Sequence, residues 1–155
     1  MKFRTADIND LEALNSISVR SKAYWGYPES WMEKWLDELT LDADKFSNQH
    51  IMVVEYESKI IGFSSVVENW DNYEILHLWI LPKFIGKGFG KMLLEKTIQK
   101  FVTTDKAIIV ESDPNAEKFY ESQGFITFDR VESIPKGRFL PLMKKLLPTK
   151  IFNQK

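Results

Sequence analysis

The chain has no cysteine. A disulfide framework, a thiolate nucleophile and a Cys-ligated zinc are therefore excluded, and a reducing compartment is the natural setting. It also has no long apolar run. No stretch approaches the roughly 20 apolar residues that a membrane span needs, and the N-terminal MKFRTADINDLEAL lacks the apolar core of a signal peptide. These absences predict a soluble, cytoplasmic protein with no membrane partner. Glycine is sparse, at 7 in 155 residues, yet three of the seven fall in one heptapeptide, Ile85-Gly86-Lys87-Gly88-Phe89-Gly90-Lys91. That concentration asks for a reason.

With 44% hydrophobic and 14% aromatic residues, 155 residues are enough to fill the core of one compact domain. The formal net charge of −1 is the sum of two unlike halves. Residues 1–80 hold 14 acids against 7 bases, a net of −7, and residues 81–155 hold 8 acids against 14 bases, a net of +6. Such halves suit an anionic ligand on the second and a cationic one on the first, or they interleave in space as a solvated surface. Nucleic-acid binding is not expected, because no basic, aromatic-interleaved face is apparent.

The pattern along the chain alternates strands and helices without repeats or linkers. Residues 1–4 read as a short strand. Residues 7–23 carry Ile8, Leu11, Leu14, Ile17 and Val19 near helical spacing, with Asp7 or Asn9 as the cap. Residues 29–39 follow Pro28 as a second helix, with Trp31, Trp35 and Leu39 four apart. Residues 50–57, 59–70 and 73–81 form a β-meander that stops at Pro82. An amphipathic helix over 88–102 comes next, then a strand at 107–111 and a short helix at 114–123 closed by Gly124. Strands at 125–133 and 139–147 flank Pro135-Lys136-Gly137. The expectation is an α/β domain over residues 1–148, with a polar tail at 149–155.

The glycine heptapeptide thus lies between the end of a strand and the start of a helix. There, glycines let the backbone turn sharply and uncover N–H groups at the positive end of a helix dipole, where a phosphate or pyrophosphate is the natural guest. Lys87 and Lys91 add positive charge. Two standard phosphate loops fail on spacing: Met92 stands where a P-loop needs Ser or Thr, and the glycines are two apart where a dinucleotide fingerprint needs G-x-G-x-x-G.

Residues 78–94, LWILPKFIGKGFGKMLL, resemble the acetyl-CoA motif of the GNAT acyltransferase superfamily, Arg/Gln-x-x-Gly-x-Gly/Ala after a strand ending in apolar-x-Pro. Ile85 stands where that family usually has Arg or Gln. A second stretch, DPNAEKFYESQGF at 113–125, is similar to the family's Asn…Ala…Phe-Tyr…Gly-Phe segment. The order of the two motifs makes the pair more specific than either alone. The resemblance implies a single GNAT-like domain: a mixed, mostly antiparallel central sheet of about seven strands flanked by about four helices. It implies an acetyl-CoA-dependent N-acetyltransferase with acetyl-CoA as co-substrate and no metal, and it allows a homodimer.

It also implies a site. The pantetheine arm would lie between two splayed strands, held by the backbone of Leu78 and Ile80 and by Asn115. Ile85, Gly86, Lys87, Gly88, Phe89, Gly90 and Lys91 would cradle the pyrophosphate. Glu74, eight residues before Pro82, matches the family's base and would act through water; His77 is the alternative, although strict alternation puts it on the opposite face unless a bulge intervenes. Tyr120 falls where the family keeps its general acid, or else is a core aromatic beside Phe119 and Phe125. For the acceptor, the aromatic segment YWGYPESW at 24–31 offers Trp25, Tyr27 and Glu29 to a small-molecule primary amine. The same rings, Trp31 and Trp35 above all, equally suit packing of the helices on the sheet. The 134–138 segment between the last two strands is a further candidate to border the acceptor side. A protein or peptide amine as acceptor, and a non-catalytic acyl-CoA-binding role, are the alternatives.

Overall fold

The computed structural model describes residues 1–147; the expected end of the domain at Pro148 and the tail lie outside them. Seven strands form one sheet: β1 (Lys2–Thr5), β2 (His50–Tyr56), β3 (Lys59–Glu68), β4 (Asn72–Ile80), β5 (Ala107–Glu111), β6 (Ile126–Glu132) and β7 (Phe139–Lys145), in the order β1-β2-β3-β4-β5-β7-β6. Every pairing is antiparallel except β4 with β5. Five helices flank it: α1 (Leu11–Ala23), α2 (Glu29–Leu39), α3 (Ala43–Ser47), α4 (Phe89–Phe101) and α5 (Glu117–Ser122). No helix among the described residues is long and apolar enough to cross a membrane.

Local chemistry accounts for most boundaries. Asp7 accepts from the Asn9 amide at 2.9 Å while Asp10 accepts from the Asp7 amide at 2.7 Å, a reciprocal cap on the 3₁₀ turn that leads into α1. The cap is Asp7, of the two candidates. Helix α3, which the sequence pattern did not reveal, is a single five-residue turn capped by Asp42, too short to display a period. The β2–β3 turn places both Glu57 and Ser58 at positive φ, the hairpin geometry that matches strand twist.

Two faces of the sheet are covered by different helices. On one, α4 and α5, with Phe125 just beyond α5, bury Leu94 and Tyr120 against Val66, Tyr73, Ile75, Ile108 and Val110. On the other, α1 buries Leu14 and Ile17 against Ile51, Val53 and Phe63. Full burial of each such large aliphatic or aromatic side chain contributes about 1.5–3 kcal/mol, so both faces are firmly sealed. The exception is the line between β4 and β5.

Candidate active site

Strands β4 and β5 pair only from Asn72↔Ala107 to Ile75↔Val110. Beyond that point β4 runs on to Ile80, while β5 ends at Glu111 and the Ser112 amide donates to the Pro141 carbonyl on β7 at 2.9 Å. The two strands therefore part, and a cavity of about 600 Å³ opens between them.

A bulge sits at the parting point. Ile75 pairs with Val66 and His77 with the adjacent Ser65, which leaves Leu76 without a partner on β3. Tyr73 and Ile75 face α4 and α5, while Trp79 packs with the α1 cluster. The extra residue brings Glu74 and His77 onto one face, the α1 face, where strict alternation would have separated them.

Past the bulge, the free edge of β4 carries unpaired backbone groups. The Leu81 amide donates to Ile61 of β3, so by alternation Leu78 and Ile80 present theirs to the cleft; there the Ile80 carbonyl accepts from Ser21 Oγ at 3.0 Å. At the cavity's far end, Gly86 and Gly88 adopt φ of +83° and +87°, with open space where side chains would stand. Gly88 caps α4 with no side-chain hydrogen bond, so the first amides of that helix are left for a ligand. Ile85 and Lys91 line the same end. From the opposite face, α5 brings Tyr120 to the cavity. Its hydroxyl has no hydrogen-bond partner among the described residues, and burial pushes its pKa well above the usual phenol value.

A free β4 edge followed by glycine-freed amides at a helix start is a mould for an extended arm ending in phosphates, as in coenzyme A. A profile of the acetyltransferase (GNAT) family matches residues 16–125. The chain belongs to this family. It is an acetyl-CoA-dependent N-acetyltransferase, with acetyl-CoA as its co-substrate. An uncharacterized N-acetyltransferase of Archaeoglobus fulgidus is 27% identical over 137 residues, spanning 79% of this chain and 91% of that relative. Among solved structures, the PaiA N-acetyltransferase of Thermoplasma acidophilum in complex with coenzyme A superposes with a TM-score of 0.74 at 23% identity, covering 94% of this chain and 98% of that one. The acetyltransferase yncA of Salmonella typhimurium, with its cofactor acetyl-CoA, gives 0.67 at 22% identity, covering 96% and 94%.

In this GNAT domain the expected cofactor positions gather at the cavity, with two exceptions. Leu78, Ile80, Ile85, Gly86, Gly88, Gly90, Lys91 and Asn115 line it. Phe89 is instead buried against Tyr56 and Phe84, and Lys87 extends toward the Phe84 ring. Their side chains do not line the cavity, and any part in the cradle falls to their backbone.

The acceptor side differs more. Trp25 lines the cavity, but Tyr27 and Glu29 do not, and Glu29 is exposed. Tyr27 is a strut: its ring packs on Trp31 and Trp35, and its hydroxyl sits 2.9 Å from Asp113 and accepts from Asn115 Nδ2 at 3.0 Å. Trp35 lines the cavity too, and its indole N–H donates to the Ile134 carbonyl at 2.7 Å, so packing holds its ring in place.

His77 fits poorly as a base. Trp79 Nε1 donates to its Nδ1 at 2.9 Å, and burial, reinforced by Lys45, lowers its pKa to about 4. Glu74 lines the cavity beside two carboxylates that the sequence reading missed, Glu38 and Glu111. Burial, then Glu74 and Glu38, raise the Glu111 pKa. Also missed were Lys22 and Asp113, joined at 2.6 Å. The available signal was that Glu111 and Asp113 stand at the end of a strand flanked by a helix, where loops carry ligands in α/β sheets.

Proposed function

We propose that the enzyme acetylates the primary amine of a small molecule by direct attack, with Glu74 as base and Tyr120 as acid. The observation that carries this reading is that one cavity, opened by the parting of β4 and β5, is lined by both residues although they belong to opposite faces of the sheet. Leu78 and Ile80 would hold the pantetheine arm, and the first amides of α4 with Lys91 the pyrophosphate. When bound, acetyl-CoA supplies an activated thioester, whose acetyl group passes to the amine nitrogen as the carbon–sulfur bond breaks.

The residues of the chain move the protons. An amine reaches the site as an ammonium with no lone pair, and Glu74 takes the surplus proton through a water. Tyr120, whose burial keeps its phenol neutral, delivers a proton to the departing sulfur and regains one from the nitrogen, which sheds its second proton as the amide forms. Trp25, on the exposed turn after α1, supplies a face against which the acceptor's body rests.

A panel of amines with acetyl-CoA, read by release of free thiol, tests the whole reading. Tyr120→Phe should lower kcat by ~10²–10⁴-fold with unchanged acetyl-CoA affinity by calorimetry. Glu74→Gln should lower kcat/KM, and Trp25→Ala should raise the acceptor KM alone. Full turnover in Tyr120→Phe would return that ring to a packing role. Turnover confined to lysines in peptides or proteins would replace the small-molecule reading.

A further inference from the structure

Two cations are buried where the acceptor would bind, and they share one carboxylate. Lys22 on α1 and Arg138, in the turn before β7, both line the cavity, with side chains 11% and 10% exposed. Their counter-ion is Asp113. That carboxylate is already engaged at short range: Lys22 Nζ lies 2.6 Å away, the Tyr27 hydroxyl 2.9 Å, the Asn115 amide 2.8 Å and Asn115 Nδ2 3.0 Å. Arg138 is left at the margin. Its Nη2 lies 3.5 Å from Asp113 and 3.3 Å from the Tyr27 hydroxyl, and its Nη1 3.3 Å from Ser133 Oγ. Among the described residues its Nε–H has no partner, so a guanidinium with five donors makes only three long contacts.

Aromatic faces hold these cations without neutralising them. The Arg138 guanidinium lies 4.5 Å and Lys22 Nζ 4.6 Å from the Trp35 ring centre, and each lies 5.2 Å from that of Tyr27. Lys22 and Arg138 also repel each other. A buried cation with unused donors beside a cavity is a costly arrangement unless a ligand anion completes it. The same cavity is lined by Glu74 and Glu111 at the β4–β5 fork and by Glu38 on α2, whose charge acts on both Glu111 and Lys22, so it carries both signs of charge.

We propose that the acceptor is a small amino carboxylate: its carboxylate pairs with Arg138 and Lys22, and its ammonium faces the glutamates at the fork. This deepens the small-amine reading above and rests on it. Planar guanidinium and carboxylate match as a fork, which makes Arg138 the principal specificity residue and Lys22 its support.

Matched acceptors decide the matter, because they differ in one group only: L-methionine, L-methioninamide and 3-(methylthio)propylamine, each assayed with acetyl-CoA by thiol release. We expect kcat/KM for the acid to exceed that for the amide and the decarboxylated amine by roughly 10-fold or more, as for a site whose buried charge is left unpaired by the wrong ligand. Arg138→Gln should collapse that ratio toward unity, whereas Arg138→Lys should keep a preference for the acid. Calorimetric titration of the same three compounds into the enzyme–CoA complex reads the same order of affinity without turnover and without any variant. Equal or better use of the amide or the amine, or equal affinities of all three, overturns the proposal. Acetyl-CoA binding with turnover of peptides alone overturns it together with the small-amine reading, and turnover of the amines without preference for the acid overturns it alone.

Discussion

At the scale of single residues, burial shifts the pKa values of Tyr120 and His77 in opposite directions. Desolvation penalises whichever form is charged, so it holds the phenol protonated and the imidazole unprotonated. A phenol that keeps its proton stays a hydrogen-bond donor toward the cavity it lines. An imidazole with a pKa of about 4, whose Nδ1 already accepts from Trp79, is a weak proton acceptor and serves instead as packing beside Phe63. The folded-state value lies below the unfolded one, so as pH falls from about 6.5 to 4 the unfolded chain takes up a proton that the fold refuses. Stability should therefore drop across that window by up to about 3 kcal/mol from this side chain. The check is a set of thermal melts from pH 7 to pH 4 on the wild type and His77→Gln, in which the variant's melting temperature should depend on pH more weakly. Parallel slopes would mean that His77 is not held neutral.

At the scale of elements, what the sequence revealed was what is written in short stretches. The β-meander, α4 and the two motifs at 78–94 and 113–125 were legible because strand alternation, helical period and turn glycines are local signals. The bulge at Leu76 was not, since it exists only as a register relation between β3 and β4, and it decides on which face His77 lies. The glycine loop was legible as a turn into α4, but its backbone angles alter how it should be probed. Gly88 is at φ +87°, so any side chain there costs roughly 1–2 kcal/mol in backbone strain alone and mixes folding with binding. Gly90 has an ordinary helical backbone, and an added Cβ would meet Phe119 at 3.5 Å, normal contact. Because Gly90 lines the cavity, Gly90→Ala should weaken acetyl-CoA binding while the melting temperature stays the same or rises, alanine being the better helix former. Gly88→Ala should lower both. Calorimetry beside thermal melts separates the two, and an unchanged affinity in Gly90→Ala would move the pyrophosphate away from the first turn of α4.

At the scale of the molecule, the acidic first half and the basic second half meet in ion pairs across the fold. They interlock: Lys22 of the first pairs with Asp113 of the second, and Glu68 of the first with Lys106 of the second. Ninety-one residues separate Lys22 from Asp113, and 25 separate Asp113 from Arg138, so no local pattern could announce the contact. It has a mechanical consequence. β4 and β5 are hydrogen-bonded only up to Ile75 and Val110, and the Lys22–Asp113 pair ties α1, on one side of the cleft, to the loop after β5 on the other. Burial alone would raise the Asp113 carboxyl, but Lys22, Asn115 and Tyr27 together hold it below its usual value. The stability it contributes is present above pH ~4 and is lost as pH falls through the folded-state value. Asp113→Asn keeps the shape but removes the one carboxylate within ion-pair distance of both buried cations among the described residues, which should cost about 3 kcal/mol or more at neutral pH. That corresponds to a fall in melting temperature on the order of 10 °C for a chain of this size. Lys22→Met should cost less, because Tyr27, Asn115 and Arg138 still serve the carboxylate. Thermal melts at pH 7 give the order, and melts in acid should bring Asp113→Asn and the wild type together. If Lys22→Met were the more damaging of the two, the tie would lie in the contact of the lysine ammonium with the Trp35 and Tyr27 rings and not in the charge of Asp113.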